Sequence, residues 1–192
     1  MAKKTIVDEV FGKITYKEGY WKAADPVVMT IAGRRQEAKL EIVSFSTAYD
    51  KIQLGITKKE VAALLLNTNA VNEAEVLKKK DMQRKLYKDI VIDNLKALET
   101  NIENAAVQEL SEVLQDYDER SLSKFIGKEK AIKLLSAKTV EEKLESLQLL
   151  KIFVFMDCIE IECKCDWYKY GGGFIIIEGG ECIMRPIDCL SI

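Results

Sequence analysis

The stretch IEIECKCD, residues 159–166, alternates strictly between apolar and charged side chains. Strict alternation is typical of a half-buried β-strand, because successive side chains point to opposite faces of a sheet. One face would carry Ile159, Ile161, Cys163 and Cys165, and the other Glu160, Glu162, Lys164 and Asp166. We therefore predict a strand here with its thiols toward the core and its charges toward solvent.

The segments around this stretch extend the strand pattern to residues 151–192. KIFVFM (151–156) is apolar at every position after Lys151, and FIII (174–177) is apolar throughout, which predicts central strands covered on both faces. Asp157-Cys158 reads as a tight turn, and Gly179-Gly180 as a turn into a last strand at 181–184. Together these features predict an antiparallel meander.

The first part of the chain, residues 1–56, also has strand character. VFGKITY (10–16) and PVVMTIA (26–32) are β-rich, and residues 37–45 alternate at period two. GRRQ (33–36) lies between the last two runs and is predicted to be the turn of a hairpin spanning residues 27–44.

Residues 57–150 change to helical spacing. Capping boxes occur at Thr57-x-x-Glu60 and Thr139-x-x-Glu142, and Asn72 could cap a further helix. Apolar residues recur at helical spacing from Leu86 onward, with a predicted break near Thr100-Asn101. A later helix would start at Asp118 or Ser121 and be interrupted or ended by Gly127. We predict four or five helices.

The order of these segments defines the predicted fold class. Strands, then helices, then strands favour an α+β protein. We expect one domain over residues 1–192, with an antiparallel or mixed β-sheet built from the N- and C-terminal strands. The central block of four or five helices would pack on one face of that sheet.

The composition excludes several kinds of chemistry and partner. The 192 residues are 48% hydrophobic and 31% charged with a net charge of −2, and they include no histidine. Catalysis by Ser-His-Asp or Cys-His groups is therefore excluded. The basic run KKKDMQRKLYK (78–88) is diluted by nearby acids, so no nucleic-acid partner is expected. Without a long apolar run or a secretory signal pattern, we expect a cytoplasmic protein and no membrane partner.

The five cysteines are the obvious candidates for a metal or redox site. Cys163 and Cys165 are one residue apart, whereas zinc sites use pairs with wider spacing. Cys182 and Cys189 could complete four ligands, and the carboxylates near 157–166 could hold a divalent ion. We favour core-facing thiols and a solvated acidic face, and expect no metal and no cofactor. Gly171-Gly172-Gly173 leads into a strand rather than a helix, so it favours a hairpin loop over a phosphate site.

Aromatic residues at loop edges are the best candidates for binding another protein. Trp21 and Trp167 could either close the ends of the core or lie at an interface, since both roles suit tryptophan. Acidic residues near Trp167 and Tyr170 could attract a basic partner. The candidate partner-binding residues are Glu160, Glu162, Asp166, Trp167 and Tyr170.

Both ends of the chain resemble a bacterial family of unknown function. The resemblance is carried by FGKITYKEGYW and GRRQEAKLEI near the start and by IEIECKCDWYKYGGGFIIIEGGECI near the end. Members open with a Phe-Gly strand, a downstream Trp and a hairpin, and close with an acidic Cys/Trp/Asp strand and a glycine turn. In the family Trp more often precedes Asp, whereas here Asp166 precedes Trp167, and the helical middle carries no specific motif.

The resemblance implies a binding protein rather than an enzyme. Such proteins occur near toxin–immunity loci, and no catalytic residues are defined for the family, so none is assigned here. The favoured hypothesis is a non-enzymatic protein that binds another protein. An immunity-like inhibitor is one example, and a basic protein is the expected partner. Two alternatives stay open: a metal-binding or hydrolytic domain that uses the C-terminal cysteines and carboxylates, and a structural or accessory subunit.

Overall fold

The computed structural model describes residues 4–17, 20–43, 81–168 and 171–187. Within them the chain is an α+β protein with nine strands in one mixed sheet and five helical segments. The strands are β1 (Lys4–Asp8), β2 (Gly12–Lys17), β3 (Tyr20–Ala23), β4 (Val27–Ile31), β5 (Arg34–Val43), β6 (Gln148–Val154), β7 (Cys158–Lys164), β8 (Gly172–Glu178) and β9 (Glu181–Pro186).

The helical segments lie between β5 and β6. Residues 81–87 form α1, which continues into a π-helical turn at Lys88–Ile92. The others are α2 (Leu95–Asp116), α3 (Glu119–Ile126), α4 (Lys128–Ser136) and the short α5 (Val140–Lys143). The caps predicted at Thr57 and Asn72 lie outside the described residues.

The sheet joins the two ends of the chain, as predicted. Its strand order is β1-β2-β3-β5-β6-β7-β8-β9, and β4 pairs with the first half of β5. All pairs are antiparallel except β5 and β6, which run parallel. Parallel neighbours need a long crossover connection, and the helical block supplies it.

The tight turns are two residues long and depend on left-handed backbone. Ala32 and Gly33 have φ values of 49° and 70° and join β4 to β5. The predicted turn at GRRQ was therefore displaced: Arg34, Arg35 and Gln36 already belong to β5. Gly179 and Gly180 have φ values of 59° and 90° and join β8 to β9, which confirms that predicted turn.

In the helical block the predicted caps at Asp118 and Thr139 are confirmed, whereas the predicted break near Thr100-Asn101 is wrong. α2 runs unbroken through Thr100 and Asn101, and the interruption lies instead at the turn residues Asp93 and Asn94. The Asp118 side chain caps α3 by accepting the Ser121 N–H at 2.7 Å. The capping box at Thr139 and Glu142 forms as predicted.

The long helix α2 packs on one face of the sheet, which we call the inner face. Apolar side chains of β5 to β9 point toward it and are almost fully buried. They include Leu40, Ile42, Ile152, Val154, Ile159, Ile161, Ile175, Ile177 and Met184. Because dispersion and hydrophobic burial scale with the area removed from water, this layer holds the fold together.

Side chains from the helices also satisfy exposed main-chain groups of the sheet. Glu99 and Glu103 of α2 accept the N–H groups of Thr30 and Ala32 at 2.6 Å each. These bonds cover the free edge of β4, which would otherwise invite pairing with another chain. The buried Gln83 amide donates to the carbonyls that end β5 and β6.

An ion pair ties α1 to the turn after β1. Arg84 donates to the Asp8 carboxylate at 2.8 and 3.1 Å, and Asp8 also accepts the N–H groups of Val10 and Phe11. Burial alone would raise the pKa of Asp8, but these hydrogen bonds and the Arg84 charge outweigh it and hold the pKa below its ordinary value.

Candidate functional site

The outer face of the sheet, opposite α2, carries a mixture of apolar and charged side chains. Two cross-strand rows of neighbours run across its centre. The first row is Glu41, Phe153, Glu160, Ile176 and Ile183. The second begins with Lys39, Lys151, Glu162 and Phe174. Side chains directly opposite each other on adjacent strands are close enough to contact, so each row forms a continuous band.

Glu160 lies at the centre of the first row. Its direct neighbours are Phe153 on β6 and Ile176 on β8, both half-buried and apolar. Burial raises the pKa of the Glu160 carboxyl group. No cation pairs with Glu160 among the described residues. A charge in this position gives up water without receiving a partner, which is unfavourable for the protein alone.

Two other acids in these rows, Glu162 and Glu41, are already paired. Lys151 bonds Glu162 at 3.1 Å, and that bond raises the pKa of Lys151. Lys22 lies 3.3 Å from Glu41. The Lys151 ammonium group also lies 5.5 Å from the ring centre of Phe153, within the range of a cation–π contact. Glu160 therefore differs from Glu41 and Glu162, the other acids in the two rows.

The predicted partner-binding residues separate into different locations. Glu160 and Glu162 lie side by side on the outer face, as the alternation indicated. Asp166 lies beyond the end of β7, where its carboxylate binds Lys130 of α4 at 2.9 Å. Trp167 is only 3% exposed and belongs to the core. Tyr170 lies outside the described residues.

The burial of Trp167 corrects its placement in the contact patch. Its indole packs within the core cluster, with its ring centre 6.2 Å from that of Tyr168. A side chain so deeply buried cannot present a contact surface to a partner. Trp21 is half-buried, contacts the tilted ring of Tyr16 with ring centres 5.3 Å apart, and packs at the edge of the same core. The core role thus holds for Trp167.

The three glycines have separate structural roles. Gly171 has a φ of 68°, which favours glycine. A Cβ atom on Gly173 would lie 2.6 Å from both the Tyr168 ring and the Arg185 carbonyl oxygen. Gly173 is therefore the position at which the Tyr168 ring packs directly on the main chain of β8. Gly171 lies in the loop between β7 and β8, as predicted, whereas Gly172 and Gly173 were predicted to be loop residues and instead belong to β8.

Cys163 and Cys165 face the core, as the alternation predicted. Cys163 and Cys165 are buried on the inner side, and the Cys163 thiol donates to the Gly173 carbonyl at 3.4 Å. Burial raises the pKa of Cys163 to about 12 and raises that of Cys165 as well. The described residues contain no group of three or more Cys, Asp and Glu side chains that could hold a metal ion. Cys189 lies outside them.

The sequence reasoning missed the apolar part of the outer face. Phe174 and Ile176 were expected to be covered on both faces of a central strand, but they are only half-buried. Phe153 is half-buried in the same way. Only the pairing register reveals this apolar surface. It places Phe153 and Ile176 opposite Glu160, and Phe174 opposite Glu162.

Comparison with known proteins adds no relative to this picture. No family model, curated protein or solved structure matches the chain. The resemblance to a bacterial family therefore stays a prediction. None of the helices in the described ranges combines the length and the apolar composition that crossing a membrane requires.

Proposed function

We propose that this chain is a non-enzymatic protein-binding protein and that the outer face of the sheet contacts its partner. The single observation that carries the proposal is Glu160, a half-buried carboxylate between Phe153 and Ile176 with no cation partner among the described residues. The partner is a protein that brings a lysine or arginine to this position. An immunity-like inhibitor of a basic toxin domain fits this requirement, and that finer role rests on the family resemblance alone.

A cation on the partner would gain from the partial burial of Glu160 in the free protein. Glu160 has already lost part of its hydration in the free protein, so forming a pair costs less new desolvation than usual. Phe153, Ile176 and Phe174 would exclude water around the pair and strengthen its attraction. Charged residues around this centre would steer the encounter and make the association rate depend on salt.

The test uses a panel of basic toxin domains as probes, with binding measured by calorimetry at low and high salt. Where a domain binds, we expect Glu160→Gln to weaken it by about 30-fold, because removing one partner of a central pair costs about 2 kcal/mol or more. The matched control is Glu178→Gln, an exposed acid at the end of β8. It should leave the affinity within about twofold, as rim residues do.

Two results would overturn the proposal. The first is a domain that binds wild type and Glu160→Gln equally well. The second is an equal loss with Glu160→Gln and Glu178→Gln, which would reflect overall charge rather than this position. Stoichiometric zinc in the purified protein would instead favour the metal-binding alternative.

A further inference from the structure

A groove opens where the parallel strands β5 and β6 diverge. They pair from Lys39 opposite Lys151 to Ile42 opposite Val154. Immediately before this ladder, β6 has a bulge between Leu149 and Lys151, which bends a strand away from its neighbour. The resulting groove has a volume of about 530 Å³ and lies between residues 34–37 of β5 and residues 145–149.

The β5 wall of the groove presents main-chain hydrogen-bonding groups. In a hairpin with a two-residue turn the bonded pairs alternate from the turn outward, beginning here with Ile31 and Arg34. The N–H of Thr30, opposite Arg35, confirms this alternation because it bonds Glu99 rather than β5. The N–H and C=O groups of Arg35 and Glu37 therefore point away from β4, on the side where β6 pairs with β5 only from Lys39 onward.

The opposite wall is satisfied by side chains instead of a strand, and one of them is Arg34, which donates to the carbonyls of Leu144 and Leu147 at 2.7 and 3.1 Å. The Gln36 amide donates to the Leu147 carbonyl at 3.1 Å and accepts the Leu149 N–H at 2.8 Å. One residue of a parallel neighbour would make the same two bonds, to the residues before and after the one opposite. The Gln36 amide thus stands where a peptide unit of an additional strand would stand.

We propose that this groove binds an extended segment of a partner protein, which adds a strand between β5 and the start of β6. Its main chain would pair with Arg35 and Glu37 and take over the two bonds that Gln36 makes. Addition of a strand gives affinity through main-chain bonds and specificity through alternate side chains. Arg35 and Glu37 are exposed and paired with each other at 3.2 Å. They favour a segment with an acidic and a basic residue two positions apart.

The test is a titration of the isotope-labelled protein with the peptide acetyl-Thr-Glu-Val-Lys-Thr-amide, followed by NMR. We expect amide shifts at residues 35–37 and 147–149 at millimolar peptide. The same peptide with N-methylated main-chain amides should cause none of them, because it cannot donate to β5. Absence of shifts in these residues, or equal shifts with the methylated peptide, would overturn the proposal.

A variant pair tests the role of Gln36. Gln36→Ala removes the amide that competes with the incoming strand. The peptide should then bind about tenfold tighter, because that factor corresponds to the net free energy of about one hydrogen bond. Gln148→Ala, an exposed residue on the other wall, is the matched control and should change nothing. If Gln36 only stabilises the fold, Gln36→Ala would not bind the peptide more tightly than wild type does. The groove is independent of Glu160, so Glu160→Gln should bind this peptide as wild type does.

Discussion

The inner and outer faces of β7 and β8 use the same strands for different purposes. On the inner face Ile159, Ile161, Ile175 and Ile177 are at most 6% exposed. On the outer face the alternating residues, among them Glu160 and Phe174, are only half-buried. Both faces follow the same period of two, so the backbone does not distinguish them. The helix α2 does, because it packs on the inner face and removes that face from water.

The largest expected contrast is between an inner and an outer truncation in one hairpin. Ile161→Ala should lower the free energy of unfolding by about 3 kcal/mol, since it loses buried methyl groups and leaves a cavity beneath α2. Phe174→Ala, on the outer face, should cost about 1 kcal/mol, because its ring is already partly hydrated. Urea unfolding of both variants measures the difference. Equal losses would mean that the outer face is as well packed as the core.

The next contrast concerns two adjacent glycines at the start of β8. Gly173→Ala should cost about 2 kcal/mol, because its new methyl group would meet the Tyr168 ring and an immobile main-chain carbonyl at 2.6 Å. Gly172→Ala is the matched control: its nearest neighbour would be the Cys163 carbonyl at 3.5 Å, an ordinary contact. Thermal unfolding compares the pair. If both variants unfold at the same temperature, close packing of the Tyr168 ring does not require glycine at position 173.

Much of the fold could be predicted because its signals are local. The period-two stretch at 159–166 identified β7 and its two faces, and the capping box at Thr139 identified a helix start. The turn at Gly179 and Gly180 was equally local. Each of these features depends on residues within a few positions of one another, and the physics that decides them is contained in that short stretch.

The errors lie where distant parts of the chain decide. GRRQ has turn composition, yet Ala32 and Gly33 form the turn because β4 and β5 must pair in the register that buries Met29 and Ile31. Trp167 is a residue type typical of interface anchors, yet its indole packs in the core beside Tyr168. The candidate site itself depends on the register within the predicted meander, because that register places Phe153 and Ile176 opposite Glu160, and the sequence of one strand does not reveal it.

The smallest expected effect is the most informative about the outer face. Burial raises the pKa of Glu160, so its protonated form is favoured in the folded protein. This raised pKa supports folding most fully at low pH. The support is lost as the pH rises from the unfolded pKa through the folded one, so the wild type carries the penalty at neutral pH. Glu160→Gln has no charge to bury and should be slightly more stable there, within about 1 kcal/mol.

The measurement is urea unfolding of wild type and Glu160→Gln at about pH 7 and about pH 4, where the gain should shrink because the wild-type carboxyl group is protonated. Glu162→Gln is the matched control. It loses the bond to Lys151 and should be slightly less stable at neutral pH, by the small amount typical of partly exposed pairs. A Glu160→Gln variant that is also less stable at neutral pH would show that Glu160 already has a cation in the free protein. Combined with lost partner binding, a gain in stability would instead show that the charge is kept for recognition at the expense of the fold.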